Sequence, residues 1–422
     1  MKFYQLTRLQ RLDKLVTDGF LTPAARDYLW KQHGLPESIA THLTENPIGQ
    51  YTLPLGVAPG FIINNKKYVV PMVTEEPSVI AAASHGAKMI AAGGGFTTVA
   101  QPHLVVGEVV FDCINNIDYF AKKLLDVREQ LWQTAVNAHP SIQKYGGGLR
   151  DMQIITLAQR FIKIILTVDP QKAMGANVIN SMCEAVAHYA ETIINQPALL
   201  AILSNQAIQS KAKAVVNIPF SALATKKISN GELVAQRITA ASDLAHVDIQ
   251  RAVTHNKGIM NGVDAVTLAT GNDTRAVEAS VQSFAAIDGQ YQALSTWRIQ
   301  NNHLYGELTL PLLLGVIGGT ISALPMAQIS LALLQNPSVE KLMEIITAVG
   351  LAQNLAAVHA LVTDGIQRGH MSLHANALAV SAGAQGQEIS ALVKLLNQQD
   401  KMNLTIAKQL LQQLRQHTQG GK

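Results

Sequence analysis

The sequence predicts an α+β protein in which a large, mostly helical domain carries an inserted sheet-and-helix domain and a helical C-terminal domain. Its 422 residues, 48% hydrophobic and 15% charged, are enough for two or three domains with substantial cores. Ala-rich patterns typical of helices lie before residue 93 and after residue 210, whereas strand patterns begin at His103. We therefore predict a large domain over 1–102 and 209–365, a small domain over 103–208 and a C-terminal domain over 366–422.

The small domain is predicted from an order of strand, strand, helix and strand. Residues 103–114 (HLVVGEVVFDCI) favour a strand, and 152–169 (MQIITLAQRFIKIILTVD) favour one long strand or a hairpin. A helix is predicted over 176–195 and a further strand over 212–223 (AKAVVNIPFSAL). A helix within 116–138 would complete a sheet-plus-helix layer. No strand–GxGxxG–helix unit is present, so the pattern does not indicate a Rossmann fold.

Charge and hydropathy exclude several classes of protein. The net charge is only +4, and the basic residues are scattered along the chain. They do not form the basic blocks with interleaved aromatics that are typical of nucleic-acid-binding proteins. The slight positive excess suits an anionic substrate such as a CoA ester or a nucleotide. The uncharged stretch 308–339 is broken by glycines and prolines, which favours a buried core over a membrane span. The N-terminal residues lack the long apolar stretch of a signal peptide.

The two cysteines, Cys113 and Cys183, form no CxxC pair and no disulfide framework. We expect two buried free thiols in a reducing compartment.

Glu76 precedes Pro77 at the start of a helix predicted over 76–92, which Gly93–Gly95 should end. One interpretation is a carboxylate that interacts with the helix dipole. The other is a catalytic acid, which requires burial or a neighbouring carboxylate to keep it protonated part of the time.

Lys257 lies among Gly258, Gly262 and small apolar residues, a setting that is hard to explain as solvated surface. Asp273 should cap the helix that follows it, and capping alone is one explanation for it. A straight helix over 257–273 would hold its ends ~24 Å apart. Lys257 and Asp273 can therefore meet only if the segment turns or if a second chain supplies one of them.

His370 and His374 are four residues apart and share a helical face. A zinc site needs a third ligand and usually the HExxH arrangement, which is missing here, so we expect no metal. A structural pair is one alternative, and a general acid near the C-terminal end is the other.

Residues 172–186 (KAMGANVINSMCEAV) contain a turn of small residues that opens a helix, whose first amides could hold a pyrophosphate. This signal is weak alone, as are the glycines at 93–95, 146–148 and 315–320. The GxxxxGK[ST] motif of P-loop ATPases is absent.

Taken together, these segments resemble the soluble bacterial class (class II) of 3-hydroxy-3-methylglutaryl-CoA (HMG-CoA) reductase. The resemblance covers nearly the whole chain, in the family's order and at about its spacing. The matching segments are ENPIG 45–49, EEPS 75–78, AMGAN 173–177, HNKGIMNG 255–262, TGND 270–273 and QRGHM 367–371.

The resemblance implies a helical large domain that binds HMG-CoA and a small ferredoxin-like domain that binds the dinucleotide. It also implies a mobile C-terminal flap over 366–422 and a cytoplasmic homodimer with active sites at the subunit interface. The implied reaction is the two-step, four-electron reduction of HMG-CoA to mevalonate and CoA with two NAD(P)H, in isoprenoid biosynthesis. Nucleic-acid and membrane partners are not implied.

Motif matches carry the family's residue roles onto this chain. The catalytic positions are Glu76, Lys257, Asp273 and His370. The positions that contact the HMG portion or orient the lysine are Ser78, Arg251 and Asn261. The dinucleotide positions are Met174, Gly175, Ala176 and Asn177, with His139 near the ribose.

The chain departs from the family pattern at three places. Lys172 occupies the position where the cofactor loop of the family usually has an aspartate. NAD-selective relatives carry an acidic residue near the position that His139 has in this chain. With Lys144 and Arg150, His139 makes a basic pocket, so we expect NADPH rather than NADH. Tyr4 stands where an arginine often contacts CoA, which puts that contact in doubt.

Two other functions stay open at this point. One is the degradative direction on the same site, the oxidation of mevalonate with NAD and CoA. The other is a non-catalytic CoA-ester-binding protein on the same fold. The presence of all four catalytic matches argues against the second alternative.

Overall fold

The computed structural model describes residues 2–31, 34–113, 116–363, 365, 375–376, 378–399 and 401–419. Its helices are α1 Arg8–Thr17, α2 Pro23–Lys31, α3 Glu37–Leu43, α4 Val79–Ala91, α5 Ile117–Asp126, α6 Arg128–Ala138, α7 Ala176–Ile194, α8 Gly231–Val247, α9 Ile249–Ala269, α10 Thr274–Ala285, α11 Pro325–Leu333, α12 Val339–Val362, α13 Gln387–Leu396 and α14 Leu404–Gln419. Its strands are β1 Leu55–Ile63, β2 Lys66–Val73, β3 Thr97–Ala100, β4 Val105–Asp112, β5 Gly148–Leu157, β6 Phe161–Asp169, β7 Leu200–Ser204, β8 Lys211–Pro219, β9 Ser295–Gln300 and β10 His303–Pro311. The α+β class is confirmed.

The first four-stranded sheet has the order β5-β6-β4-β7, and its strand pairs are antiparallel. Alternate residues of β4 and β6 are buried, which is the period of two that the sequence shows. Residues 152–169 form the hairpin β5–β6, one of the two predicted alternatives. The predicted helix over 176–195 is α7, whose buried face packs with this sheet into one hydrophobic core.

One strand assignment was wrong. The strand predicted over 212–223 is β8, and it pairs with β3 and β10 in a second sheet rather than with the small-domain strands. The fourth strand of the first sheet is β7, which the sequence analysis missed. It is a short edge strand of five residues with partly exposed side chains, so its sequence carries little alternation.

The second sheet has the order β3-β8-β10-β9 and shares a core with α4, α9 and α12. The sequence predicted only helices after residue 223, so β9 and β10 are a correction. Their connection is Asn301–Asn302, and both residues have positive φ angles of 50° and 57°. Asn tolerates this left-handed conformation, which two-residue hairpin turns require. The hairpin β1–β2, which turns at Asn64–Asn65, was missed in the same way.

Helix α12 is long and apolar enough to cross a membrane by composition and length. In the structure, 78% of its most apolar window is buried, and it packs against α4 and α9. Its neighbours therefore account for its hydrophobicity as a core helix.

Helix α9 carries Lys257 and is fixed at its N-terminus and within its length. Asp248 caps its first turn by accepting a hydrogen bond from the Gln250 amide. At its middle, a Cβ on Gly262 would lie 3.0 Å from the Val349 side chain of α12. The missing side chain lets the two helices approach closely and sets the rotation of α9 against the core.

Helices α13 and α14 form a separate small hydrophobic cluster with residues around Leu378. Arg415 of α14 pairs with Glu388 of α13 through two hydrogen bonds of 2.8 Å. The helical character predicted for the C-terminal part is confirmed for these residues.

Candidate active site

Lys257 and Glu76 form an ion pair, with Lys257 Nζ donating to Glu76 Oε2 at 3.0 Å. Glu76 lies in the loop between β2 and α4, and Lys257 lies about two-fifths of the way along α9. In the single chain, the Lys257 side chain is 60% exposed and the Glu76 side chain is 40% exposed. An exposed ion pair contributes little to stability. The exposure of this pair therefore favours a role in the chemistry of the site over a role in stabilising the fold.

Helix α4 begins at Val79, three residues later than the sequence predicted, and Pro77 precedes it. Ser78 is the N-cap residue in the left-handed region, with φ +79°, and its hydroxyl donates to the Pro77 carbonyl. Glu76 is therefore outside the first turn of α4. Its amide donates to Thr74 Oγ1 at 3.1 Å, which holds the loop in place.

A cleft of about 530 Å³ runs along α9 beside this ion pair. Asn261, one helical turn beyond Lys257, lies in its wall with Glu76. The full lining is Val73, Thr74, Glu75, Glu76, Val79, Asn261, Asp264, Ala265, Leu268, Thr274, Arg275 and Glu278.

Two lining carboxyls, Asp264 and Glu278, were not singled out from the sequence. Burial, a hydrogen bond with Glu278 and the charge of Glu278 raise the pKa of Asp264 to about 8. Asp264 Oδ1 is buried and receives no hydrogen bond from the described residues. Burial and the neighbouring Glu278 therefore favour the protonated form of Asp264. From the sequence, Asp264 could have been identified by its position seven residues after Lys257, which places both residues on the same helical face.

Asp273 caps α10, accepting from the amides of Arg275 and Ala276 at 2.9 and 3.2 Å. The Arg275 guanidinium also binds both carboxylate oxygens at 3.1 Å and lowers the pKa of Asp273. Capping was one explanation offered from the sequence, and the structure has that cap.

The structure does not bring Lys257 and Asp273 together within one chain. Helix α9 continues to Ala269, and the Asn272 amide next to Asp273 donates to the Thr267 carbonyl. Thr267 is ten residues from Lys257, or about 15 Å along the helix. The segment therefore does not turn early enough for the two side chains to meet.

Arg251 is half-buried on α9, one and a half turns before Lys257. Its charge helps to lower the pKa of His255, after the larger effect of burial. His370 and His374 both lie outside the described residues. Among the described residues, no group of three potential metal ligands occurs.

The predicted dinucleotide loop opens α7. Gly175 is its N-cap residue with φ +106°, and a Cβ there would lie 2.7 Å from Pro170 Cβ. No side chain caps the 19-residue helix, so the amides of Ala176 and Asn177 are available to an anion. Met174 precedes the cap and packs against the small-sheet core. The loop therefore fits a dinucleotide pyrophosphate.

The basic residues expected near the ribose are placed differently. His139 is the C-cap of α6, half-buried, with Nδ1 3.3 Å from the Ser141 hydroxyl. Lys144 is exposed. Arg150 donates to Asp169 Oδ2 at 2.9 Å, so its charge is already paired.

Comparison with known proteins gives these features a common origin. The family model described as hydroxymethylglutaryl-coenzyme A reductase matches residues 7–375. The chain belongs to this family. The HMG-CoA reductase of Archaeoglobus fulgidus is 40% identical to this reductase over 417 residues, which covers 98% of this chain and 94% of that protein.

Solved structures give the same result for the fold of this reductase. A structure of HMG-CoA reductase from Streptococcus pneumoniae is 40% identical with a TM-score of 0.82, covering 98% of this chain and 99% of that one. The class II reductase of the same organism, bound to NADPH in open conformations, has a TM-score of 0.81 and 40% identity over 97% and 100% of the two chains. The family predicted from the motifs is confirmed, and the protein is an NAD(P)H-dependent oxidoreductase by family.

Proposed function

We propose that this reductase converts HMG-CoA to mevalonate and CoA with two NADPH, using Lys257, Glu76, Asp273 and His370. The observation that carries the proposal is the ion pair of Lys257 and Glu76 beside a cleft of substrate size. The Lys257 ammonium, 3.0 Å from the Glu76 carboxylate, supplies at one point both an electrostatic partner for an oxyanion and a proton donor.

Lys257 stabilises the oxyanion that forms when the thioester carbonyl carbon gains a hydride, the species that bound NADPH supplies. A charged donor at such an atom contributes about 3–4 kcal/mol when water is excluded. The tetrahedral adduct then breaks its C–S bond, and the CoA thiolate that leaves takes a proton from His370, by resemblance to the family. Glu76 donates a proton to the aldehyde oxygen in the second reduction, directly or through Lys257.

Residues of the α7 N-terminus hold the dinucleotide in this proposal. The amides of Ala176 and Asn177 bind the pyrophosphate, Gly175 leaves room for it, and Met174 supports the loop from the core. The preference for NADPH over NADH rests on His139 and Lys144, since Arg150 is paired with Asp169. Lys172, in place of the usual aspartate, adds positive charge at the same loop.

A homodimer with interfacial active sites would desolvate Lys257, which is largely exposed in one chain. Exposed apolar side chains also lie on α8, on α9 and at the α8–α9 junction. They are Leu244, Val247, Ile249, Val253 and Leu268. Large exposed apolar side chains on neighbouring helices are typical of a protein interface. We propose that a second copy of the chain covers these side chains.

The separation of Lys257 from Asp273 supports the same arrangement. Because about 15 Å of helix separates Lys257 from the turn that holds Asp273, neither side chain can reach the other in one chain. We propose that Asp273 of the partner subunit approaches Lys257 and keeps its ammonium charged. Ser78, Arg251 and Asn261 bind the HMG portion or orient Lys257 in this site.

The domain limits predicted from the sequence remain part of the proposal: 1–102 and 209–365 for HMG-CoA, 103–208 for the dinucleotide, and 366–422 for a flap. Separate hydrophobic cores over the small sheet and over α13–α14 support it. A flap that opens in mid-reaction would allow NADP⁺ to exchange between the two reductions. We place the enzyme in the cytoplasm, where Cys113 and Cys183 stay as buried free thiols.

A spectrophotometric assay tests the proposal. HMG-CoA should cause oxidation of two NADPH per mevalonate formed, at a higher kcat/KM than with NADH. No HMG-CoA-dependent oxidation of either nucleotide would refute the activity. A strong preference for NADH would refute the cofactor assignment and favour the degradative direction, which the assay with mevalonate, CoA and NAD would then measure.

A further inference from the structure

Asn272, beside the proposed catalytic Asp273, makes a contact that reaches out of its own turn. Its Nδ2 donates to Thr270 Oγ1 at 3.1 Å within the TGND turn. Its Oδ1 accepts the Gly315 amide at 2.7 Å, from the segment that follows β10. The first contact shapes the turn, whereas the second ties the turn to a different part of the molecule.

The segment that Asn272 holds is itself bonded to the proposed dinucleotide loop. The Val316 amide donates to the Lys172 carbonyl at 2.8 Å, and Ile317 pairs with Ala173 as a parallel bridge. At Gly315, a Cβ would lie 2.5 Å from the Met174 nitrogen. The backbones are thus in direct contact, with no room for a side chain between them.

The loop is also held by a buried histidine. His103 is 2% exposed, and its Nε2 lies 3.2 Å from the Ala173 carbonyl oxygen, while its Nδ1 lies 3.0 Å from the Ser210 hydroxyl. Burial lowers the pKa of His103, so the ring is neutral and Nε2–H donates to Ala173. The loop is therefore bonded to both His103 and the 315–317 segment, so the position of that segment bears directly on the position of the loop.

We propose that Asn272 is a positioning residue that sets the dinucleotide loop 173–177 relative to Asp273 of the same chain. This inference rests on the proposed function, since it assigns the two ends of the contact chain to the cofactor and to the catalytic carboxylate. Hydride transfer depends on sub-ångström placement of the hydride donor. The hydrogen bond from Asn272 to Gly315 fixes residues 315–317, and these residues contact the loop that binds the donor.

Equilibrium binding of NADPH, followed by its fluorescence, tests the proposal together with kcat and the KM for HMG-CoA. Asn272→Ala should raise the NADPH Kd about 3–10-fold, the effect of one lost hydrogen bond. It should lower kcat about 10-fold or more through misplacement, while the KM for HMG-CoA changes less than about 2-fold. Gly315→Ala should reproduce the effect from the other end, and the double variant should be less impaired than the product of the two single effects.

Asn230→Ala is the matched control. Asn230, like Asn272, accepts a backbone amide with its side-chain oxygen, in its case two amides at 3.0 and 3.2 Å, but it caps α8 and contacts neither motif. It should leave the NADPH Kd within about 2-fold of wild type. If Asn272→Ala does not fold, Asn272→Ser, whose hydroxyl is too short to reach Gly315, takes its place.

A folded Asn272 variant with wild-type NADPH Kd and kcat would overturn the proposal, as would an equal rise in the KM for HMG-CoA. Failure of the proposed function has a different signature, because the wild-type enzyme would then show no HMG-CoA-dependent turnover. The NADPH binding measurement still tests Asn272 in that case.

Discussion

The two faces of α9 hold polar side chains in opposite environments. On the inner face, His255 is 2% exposed, and its Nε2 lies 2.7 Å from the Ser295 hydroxyl. Ser295 and the Trp297 indole both donate to Asn354 Oδ1, at 2.9 and 2.7 Å. On the outer face, two residues later, Lys257 is 60% exposed and pairs with Glu76.

This difference indicates that the inner face of α9 stabilises the fold, whereas its outer face carries the catalytic chemistry. Burial lowers the pKa of His255 to about 4, so the inner network is uncharged at neutral pH and its polar groups are bonded to one another. It locks the helix against β9 and α12. Outer-face changes should therefore alter the rate with little effect on stability, and inner-face changes should do the reverse.

The largest effect is expected on the outer face. Lys257→Ala should lower kcat at least about 10³-fold, because the oxyanion loses its charged donor. The midpoint of thermal unfolding should stay within about 2 °C, since the lost ion pair is exposed. Lys88→Ala, at an exposed lysine of α4, is the control and should keep wild-type kcat. Undiminished turnover of the Lys257 variant would remove the lysine from the mechanism.

On the inner face, Asn354→Leu should cost about 2–4 kcal/mol of unfolding free energy. It leaves the Trp297 indole and the Ser295 hydroxyl buried without their acceptor. Denaturant unfolding measures this loss. Ser330→Ala is the control, because the buried Ser330 hydroxyl has no hydrogen-bond partner among the described residues. Equal stability of the Asn354 variant and wild type would show that the network does not hold α9.

Acid should weaken the inner face through His255. Its pKa is about 4 in the folded protein, below the ordinary value of 6.5, so the unfolded state binds more protons between these values. Stability from this group is complete above pH 6.5 and falls towards pH 4, by up to about 1.4 kcal/mol per pH unit. Unfolding at pH 7, 6 and 5 measures the slope. A His255→Gln variant with the same slope would assign it to other groups.

The smallest effect concerns Asp264 in the cleft wall. Its folded pKa of about 8 exceeds the ordinary 3.8, so the folded state binds more protons between these values and stability falls as pH rises through them. At pH 8, the free energy of unfolding of Asp264→Asn should therefore exceed that of wild type by about 1 kcal/mol. At pH 5, this gain should be smaller. Calorimetry at both pH values checks this, and a loss of stability at pH 8 would contradict it.

Local patterns predicted the parts of this enzyme that local forces determine. The strand pattern in 152–169 predicted one long strand or a hairpin, of which the structure has the β5–β6 hairpin, and the small-residue turn before 176 predicted the start of α7. The strands β7 and β9 are short edge strands whose place depends on neighbours distant in sequence. Their patterns alone therefore predicted neither strand.

The site divides in the same way. Motif spacing predicted Lys257 and Glu76 as separate candidates, and resemblance grouped them, but their 3.0 Å contact depends on how β2 and α9 pack. The raised pKa of Asp264 beside Glu278 and the hydrogen bond between Asn272 and Gly315 also depend on separate segments of the chain. Only the folded structure brings these groups together.

Complementation between inactive variants tests the central claim, that Lys257 works with Asp273 of the partner subunit. Lys257→Ala and Asp273→Asn, which keeps the helix cap, are co-expressed with different tags, and the mixed dimer fraction is assayed with HMG-CoA and NADPH. One of the two sites in each mixed dimer has both native residues, so the purified mixed dimer should have about half of wild-type activity. A purified mixed dimer as inactive as its parents would contradict the claim.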